Sequence, residues 1–151
     1  MFRENVAALI RYKNRYLGCF RSDHRTWQNV QGGIEKTDKN PMDAIIRETK
    51  EELGVTEKDF KIIYQSIYWR RYFFPKEILK KNRFKGNIGQ EQLWFLIELQ
   101  DFNAIKLEKS AGEFSKVDLF AIQDLINFYS SWKKSSFYDF CRELDLLSFK
   151  N

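Results

Sequence analysis

Histidine is almost missing from this chain: His24 is the only one in 151 residues. That scarcity excludes a zinc site built from several histidines of one chain, and it argues against Ser-His or Cys-His nucleophilic catalysis. His24 sits between Asp23 and Arg25 and reads as a loop residue. Cysteine is nearly as rare. Cys19 and Cys141 lie far apart and read as free thiols of a reducing cytosol, a disulfide being the lesser alternative. No apolar run approaches the ~20 residues that cross a bilayer. The start, Met1-Phe2-Arg3-Glu4-Asn5, lacks the apolar stretch of a secretory signal, so a cytoplasmic location is expected. Two prolines and seven glycines form no linker, and neither repeats nor low-complexity tracts occur. One domain over residues 1–151 is the expectation.

What is present is apolar and aromatic, 43% and 17% of the residues, which suits a packed core. The most informative segment is Arg47-Glu48-Thr49-Lys50-Glu51-Glu52-Leu53-Gly54-Val55. Asn40 suits an N-cap, Pro41 the first helical position and Asp43 the first turn. Ile45, Ile46, Thr49 and Leu53 supply a mostly apolar stripe, and Gly54 suits a left-handed C′ residue. The spacing predicts a helix over residues 41–53. Glu48, Glu51 and Glu52 then project from one side, where like charges repel and a hard divalent cation would reverse the cost. A solvated acidic face is the other reading. Before the helix comes Trp27-Gln28-Asn29-Val30-Gln31-Gly32-Gly33-Ile34, read as a loop whose paired glycines allow close backbone approach to a ligand or to the helix.

From Gly33 to Val55 the chain resembles the signature of Nudix hydrolases, Gly-x5-Glu-x7-Arg-Glu-U-x-Glu-Glu-x-Gly-U with U bulky and apolar. Gly33, Arg47, Glu48, Glu51, Glu52, Gly54 and Val55 are in register. Thr49 replaces an apolar residue. Lys39 stands where the first glutamate belongs, with Glu35 and Asp38 nearby as partial substitutes. Within that family the chain is similar to bacterial RNA pyrophosphohydrolases and the related dinucleoside polyphosphate hydrolases. The similar segments are Arg3 with Asn5-Val6, Trp27-Gln28, Gln31-Gly32-Gly33-Ile34, Trp69-x-Arg71-Tyr72 with Pro75-Lys76, Gly89-Gln90-x-Gln92-x-Trp94-Phe95-Leu96, Glu113-Phe114 and Trp132-Lys133-Lys134. Asn29-Val30 and Gly112 depart from that group's Phe-Pro and Pro.

Strands are read at residues 5–10, 16–20, 61–69 and 92–99, with Lys13-Asn14 as a turn. Residues 76–90 read as a basic loop or insertion. Helical spacing appears over 119–128 and 137–147. The order suggests an α/β (α+β) fold, a mixed sheet with helices on both faces. The resemblance implies the Nudix α/β/α sandwich with a loop-helix-loop site.

Net charge is +5 although the best site candidate is acidic. Cations cluster at Arg21 and Arg25, Arg70 and Arg71, Lys76, Lys80, Lys81, Arg83 and Lys85, and Lys133 and Lys134, interleaved with Tyr68, Trp69, Tyr72, Phe73, Phe74 and Trp132. Such a pattern suits a phosphorylated, base-containing ligand. Surface lysines over core aromatics are the plain alternative. The resemblance implies a hydrolase that uses Mg²⁺ or Mn²⁺, more than one ion, held by Glu48, Glu51, Glu52, Glu113 and the Gly33 carbonyl. Arg47 would steady the glutamates through Glu51, and Glu51, Glu52 or Glu113 would accept the proton of water. Arg3, Arg21, Gln31, Tyr72, Gln90, Gln92, Trp132 and Lys133 would contact substrate, with Arg21 and Lys133 on phosphates and Trp132 on the first base. The expected substrate is the 5′-triphosphate end of RNA, cut to a 5′-monophosphate. Diadenosine polyphosphates or free nucleotides are the enzymatic alternative. A non-catalytic RNA- or nucleotide-binding module is the alternative of another class, with Lys39 its best argument. Neither a membrane nor a DNA partner is expected.

Overall fold

The computed structural model describes residues 1–81, 85–129 and 132–147. Among them the chain runs β1 (Phe2–Tyr12), β2 (Arg15–Arg21), β3 (Thr26–Gln28), β4 (Val30–Gly33), α1 (Pro41–Leu53), β5 (Phe60–Phe73), α2 (Lys76–Lys80), β6 (Gly89–Leu99), β7 (Lys116–Phe120), α3 (Ile122–Phe128) and α4 (Lys134–Glu143). The main sheet has the order β3-β2-β1-β6-β5, with β4 added to β1 and β7 to β2. β1 and β6 pair in parallel from Phe2↔Gly89 to Arg11↔Glu98, and the other strand pairs are antiparallel.

The near-continuous apolar runs of β1 and β6 reflect burial on both faces. Because side chains alternate along a strand, each run feeds two cores. Val6, Ala8, Ile10, Phe95 and Ile97 pack with Ala44, Ile45 and Leu53 of α1. Ala7, Leu9, Trp94 and Leu96 pack with Leu125, Phe137 and Phe140 from α3 and α4. Helices therefore cover both faces of a mixed sheet, as expected.

Helix α1 forms over the predicted residues. The Asn40 side chain accepts from the Asp43 N–H at 2.9 Å and Pro41 opens the first turn. Thr49 is buried in the stripe, its hydroxyl donating to the Ile45 carbonyl at 2.7 Å, so its polarity is satisfied within the helix. Gly54 ends the helix at φ +65°, its N–H bonded to the Lys50 carbonyl. A Cβ there would collide with the Lys106 carbonyl.

Several elements differ from the sequence reading. Residues 27–34 are not a loop, since β3 and β4 occupy most of them and β4 pairs with β1 from Asn5↔Gly33 to Ala8↔Val30. Strands this short show no period of their own. Leu119 and Phe120 close β7 against β2 rather than opening a helix, and α3 starts at Ile122. The last helix stops at Glu143, and Asp145 has φ +56°. In the basic stretch, a short helix α2 forms and β6 begins at Gly89. Arg83, of the basic cluster, lies outside the described residues. Both cysteines are buried and free. No helix among the described residues is long and apolar enough to cross a membrane.

Replacing Gly54 with alanine should cost about 2 kcal/mol or more, from left-handed strain plus the carbonyl collision. Urea unfolding of the two proteins checks this.

Candidate active site

Strand β4 lies between β1 and the polar side of α1. Its closeness to the helix depends on Gly32, where a Cβ would run into the Glu48 carboxylate. This contact seats the Glu48 carboxylate against β4, and the three glutamates differ in exposure. Glu52 is 2% exposed, and the Glu48 side chain is 13% exposed. Glu51 turns outward, its side chain 51% exposed. The trio is thus an inward pair plus one rim residue, not three equal donors. Glu113, on the loop before β7, supplies the third inward carboxyl.

These acids form one end of a cavity of about 870 Å³. Arg3, Arg21, Lys85 and Lys133 stand along its walls, with Trp132 and Ile78 as apolar surface and Asn5, Gln28, Gln31 and Gln90 as polar floor. Arg21 is held by two acids, donating to Glu113 at 3.0 Å and to Asp23 at 2.9 Å. The Trp132 ring is braced by Tyr72 and Phe74, centroids 5.6 and 6.2 Å away, and Lys133 Nζ lies over it at 4.8 Å.

The carboxyls are electrostatically stressed. Burial pushes Glu52 well above the usual carboxylate range, and the adjacent Glu113 carboxyl adds to the rise. Burial also raises Glu48, against the pull of Arg47. One Glu52 oxygen is buried without a hydrogen-bond partner. Arg47 meets Glu48 at 2.8 Å, Glu51 at the expected i,i+4 spacing and 3.5 Å, and the Gly33 carbonyl at 3.0 Å.

A chain of hydrogen bonds sets the floor. The Trp94 indole donates to Ser136 at 2.9 Å, and Ser136 donates to Gln92 at 2.9 Å. Gln92 donates to Asn5 at 2.7 Å and to Gln31 at 3.2 Å. Gln31 donates onward to Gln28 at 3.4 Å, and Gln28 to Thr26 at 3.1 Å.

The profile of the NUDIX domain matches residues 1–140. The chain belongs to the NUDIX family. It is 41% identical over 99 residues to the RNA pyrophosphohydrolase of Hamiltonella defensa, covering 65% of this chain and 60% of that protein. It is 34% identical over 116 residues to the RNA pyrophosphohydrolase of Psychrobacter arcticus, covering 75% and 66%. The chain thus spans between half and two thirds of the length of the curated relatives it matches. Among solved structures it is similar to the Escherichia coli dihydroneopterin triphosphate pyrophosphohydrolase, with a TM-score of 0.73 and 18% identity over 90% of this chain and 93% of the other. It is also similar to a Caenorhabditis elegans Ap4A hydrolase, with a TM-score of 0.68 and 16% identity over 96% and 99%. At these identities the likeness is one of NUDIX fold.

NUDIX hydrolases generally use divalent metal cations. The donors here fit such an ion in kind: hard carboxylate oxygens, one of them an orphan, in a pair whose like charges burial penalises. Among the described residues no three His, Cys, Asp or Glu side chains form a ready-made metal cluster. Arg47 takes up one Glu48 oxygen and Glu51 faces outward.

Of the expected substrate contacts, Arg3, Arg21, Gln31, Gln90, Trp132 and Lys133 line the cavity. Tyr72 and Gln92 do not. Tyr72 is buried behind Trp132, and Gln92 is buried beneath Asn5 and Gln31. Asn5, His24, Thr26, Gln28, Ile78, Lys85 and Asn87 line it without having been read as site residues. Thr26 and Gln28 were missed because β3, with three residues, shows no alternation. Arg70, read as part of a basic cluster with Arg71, is buried with Asp139 and Glu143, both at 2.8 Å.

Glu52 carries a testable pH signature. Its raised value means that the folded protein keeps a proton the unfolded chain has lost. Metal-free stability is therefore fullest below the ordinary carboxylate value and falls as pH rises towards the raised one. Urea unfolding in EDTA between about pH 4.5 and pH 8 should show this decline, and Glu52→Gln should flatten it.

Proposed function

We propose that this chain is one NUDIX domain that hydrolyses the phosphoanhydride at the 5′-triphosphate end of RNA, with Mg²⁺ or Mn²⁺, leaving a 5′-monophosphate. The observation that carries this reading is the polarity of the cavity. Buried carboxyls sit at one end, and the cations and Trp132 stand along the same walls. That layout suits a polyphosphate drawn towards the acids with its nucleotide beside the tryptophan. The choice of RNA is supported by the curated relatives, which are named RNA pyrophosphohydrolases.

Divalent cations, when bound, supply charge neutralisation for the phosphates and make water more acidic. Glu48, Glu52 and Glu113 are the residues that would hold them. Glu52 and Glu113 are adjacent carboxyls, which makes this pair the place to hold and pass on the proton of the attacking water. Arg21, fixed by Glu113 and Asp23, presents a phosphate-binding cation next to those acids. Arg3 and Lys133 extend the anion-binding wall. Dinucleoside polyphosphates offer similar groups, and the Ap4A hydrolase neighbour supports that reading through fold alone. A binding-only role would leave the buried acid cluster without a use.

Replacing Glu52 or Glu48 with glutamine should lower kcat by about 10²-fold or more in Mg²⁺-dependent phosphate release. Equal concentrations of 5′-triphosphate RNA and diadenosine tetraphosphate should be turned over unequally in favour of RNA; the opposite preference would overturn the assignment. Trp132→Ala should raise KM about tenfold with kcat nearly unchanged, as loss of one base stack requires.

A further inference from the structure

The NUDIX pattern has an acid at the position of Lys39, yet Arg47 has a full set of acceptors. We infer that Asp38 is a positioning residue that replaces the acid missing at position 39: it clamps Arg47 from behind, and Arg47 holds Glu48 and the Gly33 carbonyl at the acidic end of the cavity. This rests on the hydrolase reading above and adds a residue that the family pattern does not contain.

The geometry separates Asp38 from its neighbours. Its Oδ1 accepts from Arg47 Nε at 3.1 Å and its Oδ2 from Arg47 Nη2 at 2.8 Å. Two parallel bonds along one side of a planar guanidinium fix both its position and its plane. With that edge fixed, Nη2 also reaches the Gly33 carbonyl at 3.0 Å, and Nη1 reaches Glu48 at 2.8 Å. The Asp38 side chain is only 5% exposed, whereas Glu35 is 62% exposed and 3.5 Å from Arg47. Asp38 is itself fixed by a tight turn. Its carboxylate accepts from the Glu35 N–H at 2.8 Å, and its own N–H donates to the Glu35 carbonyl at 3.0 Å. That turn brings Asp38 back against Arg47. Lys39 is exposed, and its N–H donates to Asp43 at 3.2 Å.

The test measures Mn²⁺ binding to the whole chain by titration calorimetry, alongside kcat and KM on 5′-triphosphate RNA. Asp38→Asn should weaken Mn²⁺ binding about 10–100-fold and lower kcat by a similar factor, with KM within about twofold. Asp38→Glu should recover most of the loss, and Lys39→Glu added to Asp38→Ala should recover part of it. Lys39→Ala and Glu35→Gln should leave Mn²⁺ affinity within about twofold of wild type. A folded Asp38→Asn protein with wild-type Mn²⁺ affinity and kcat would overturn the inference, as would an equal loss in Glu35→Gln. If wild-type protein hydrolyses no RNA but Asp38→Asn still weakens Mn²⁺ binding, the substrate assignment fails and the positioning role stands.

Discussion

The structure depends on one electrostatic conflict. Folding gathers the carboxyls of Glu48, Glu52 and Glu113 at one end of a cavity, where burial and the neighbouring carboxyls work against the charges of Glu48 and Glu52. Two arginines offset this in part, Arg47 at Glu48 and Arg21 at Glu113. Glu52 is left with a raised affinity for protons and one unpartnered oxygen. A site under such stress gains from any cation that enters it. The parts of the fold around it preserve the stress: Gly32 lets β4 approach α1, Asn40 and Gly54 fix the ends of the helix, and Asp38 immobilises Arg47.

The opposite face of the sheet shows the same chemistry put to structural use. Arg70 is buried between β5 and α4, bonded to Asp139, Glu143 and Ser66. Burial works against the Glu143 charge, but bonds from Tyr64, Arg70 and Ser66 outweigh it and hold that carboxyl below its ordinary value. An acid with several donors keeps its charge easily, and a buried acid facing another acid holds its proton more tightly. Glu143 and Glu52 thus differ in partners as well as in depth: Glu143 has three donors, and the more deeply buried Glu52 faces another carboxyl.

Helix α1 was legible because its caps and its stripe are local signals, all within residues 40–54. The long strands β1, β5 and β6 were legible as apolar runs, though their ends were not. Strands β3, β4 and β7 were not, since three to five residues carry no readable period and their partners are distant in sequence. For the site, spacing showed which residues were acidic, but not that Glu51 turns to the rim while Glu113 turns in. That depends on where β4 and the loop before β7 come to rest. Motif resemblance included Tyr72 and Gln92 because they sit in recognisable segments, but strand register placed them behind the cavity wall.

The amide floor of the cavity has a direction. An indole N–H can only donate, so Ser136 accepts from Trp94, and it gives its own hydrogen to the Gln92 carbonyl. Gln92 must then turn its NH₂ towards Asn5 and Gln31, and Gln31 turns its own towards Gln28. No amide in the row can flip alone without setting donor against donor. A tryptophan buried in the far core is thereby tied, bond by bond, to the Asn5, Gln31 and Gln28 amides that line the cavity, and the row is a fixed surface rather than an adaptable one.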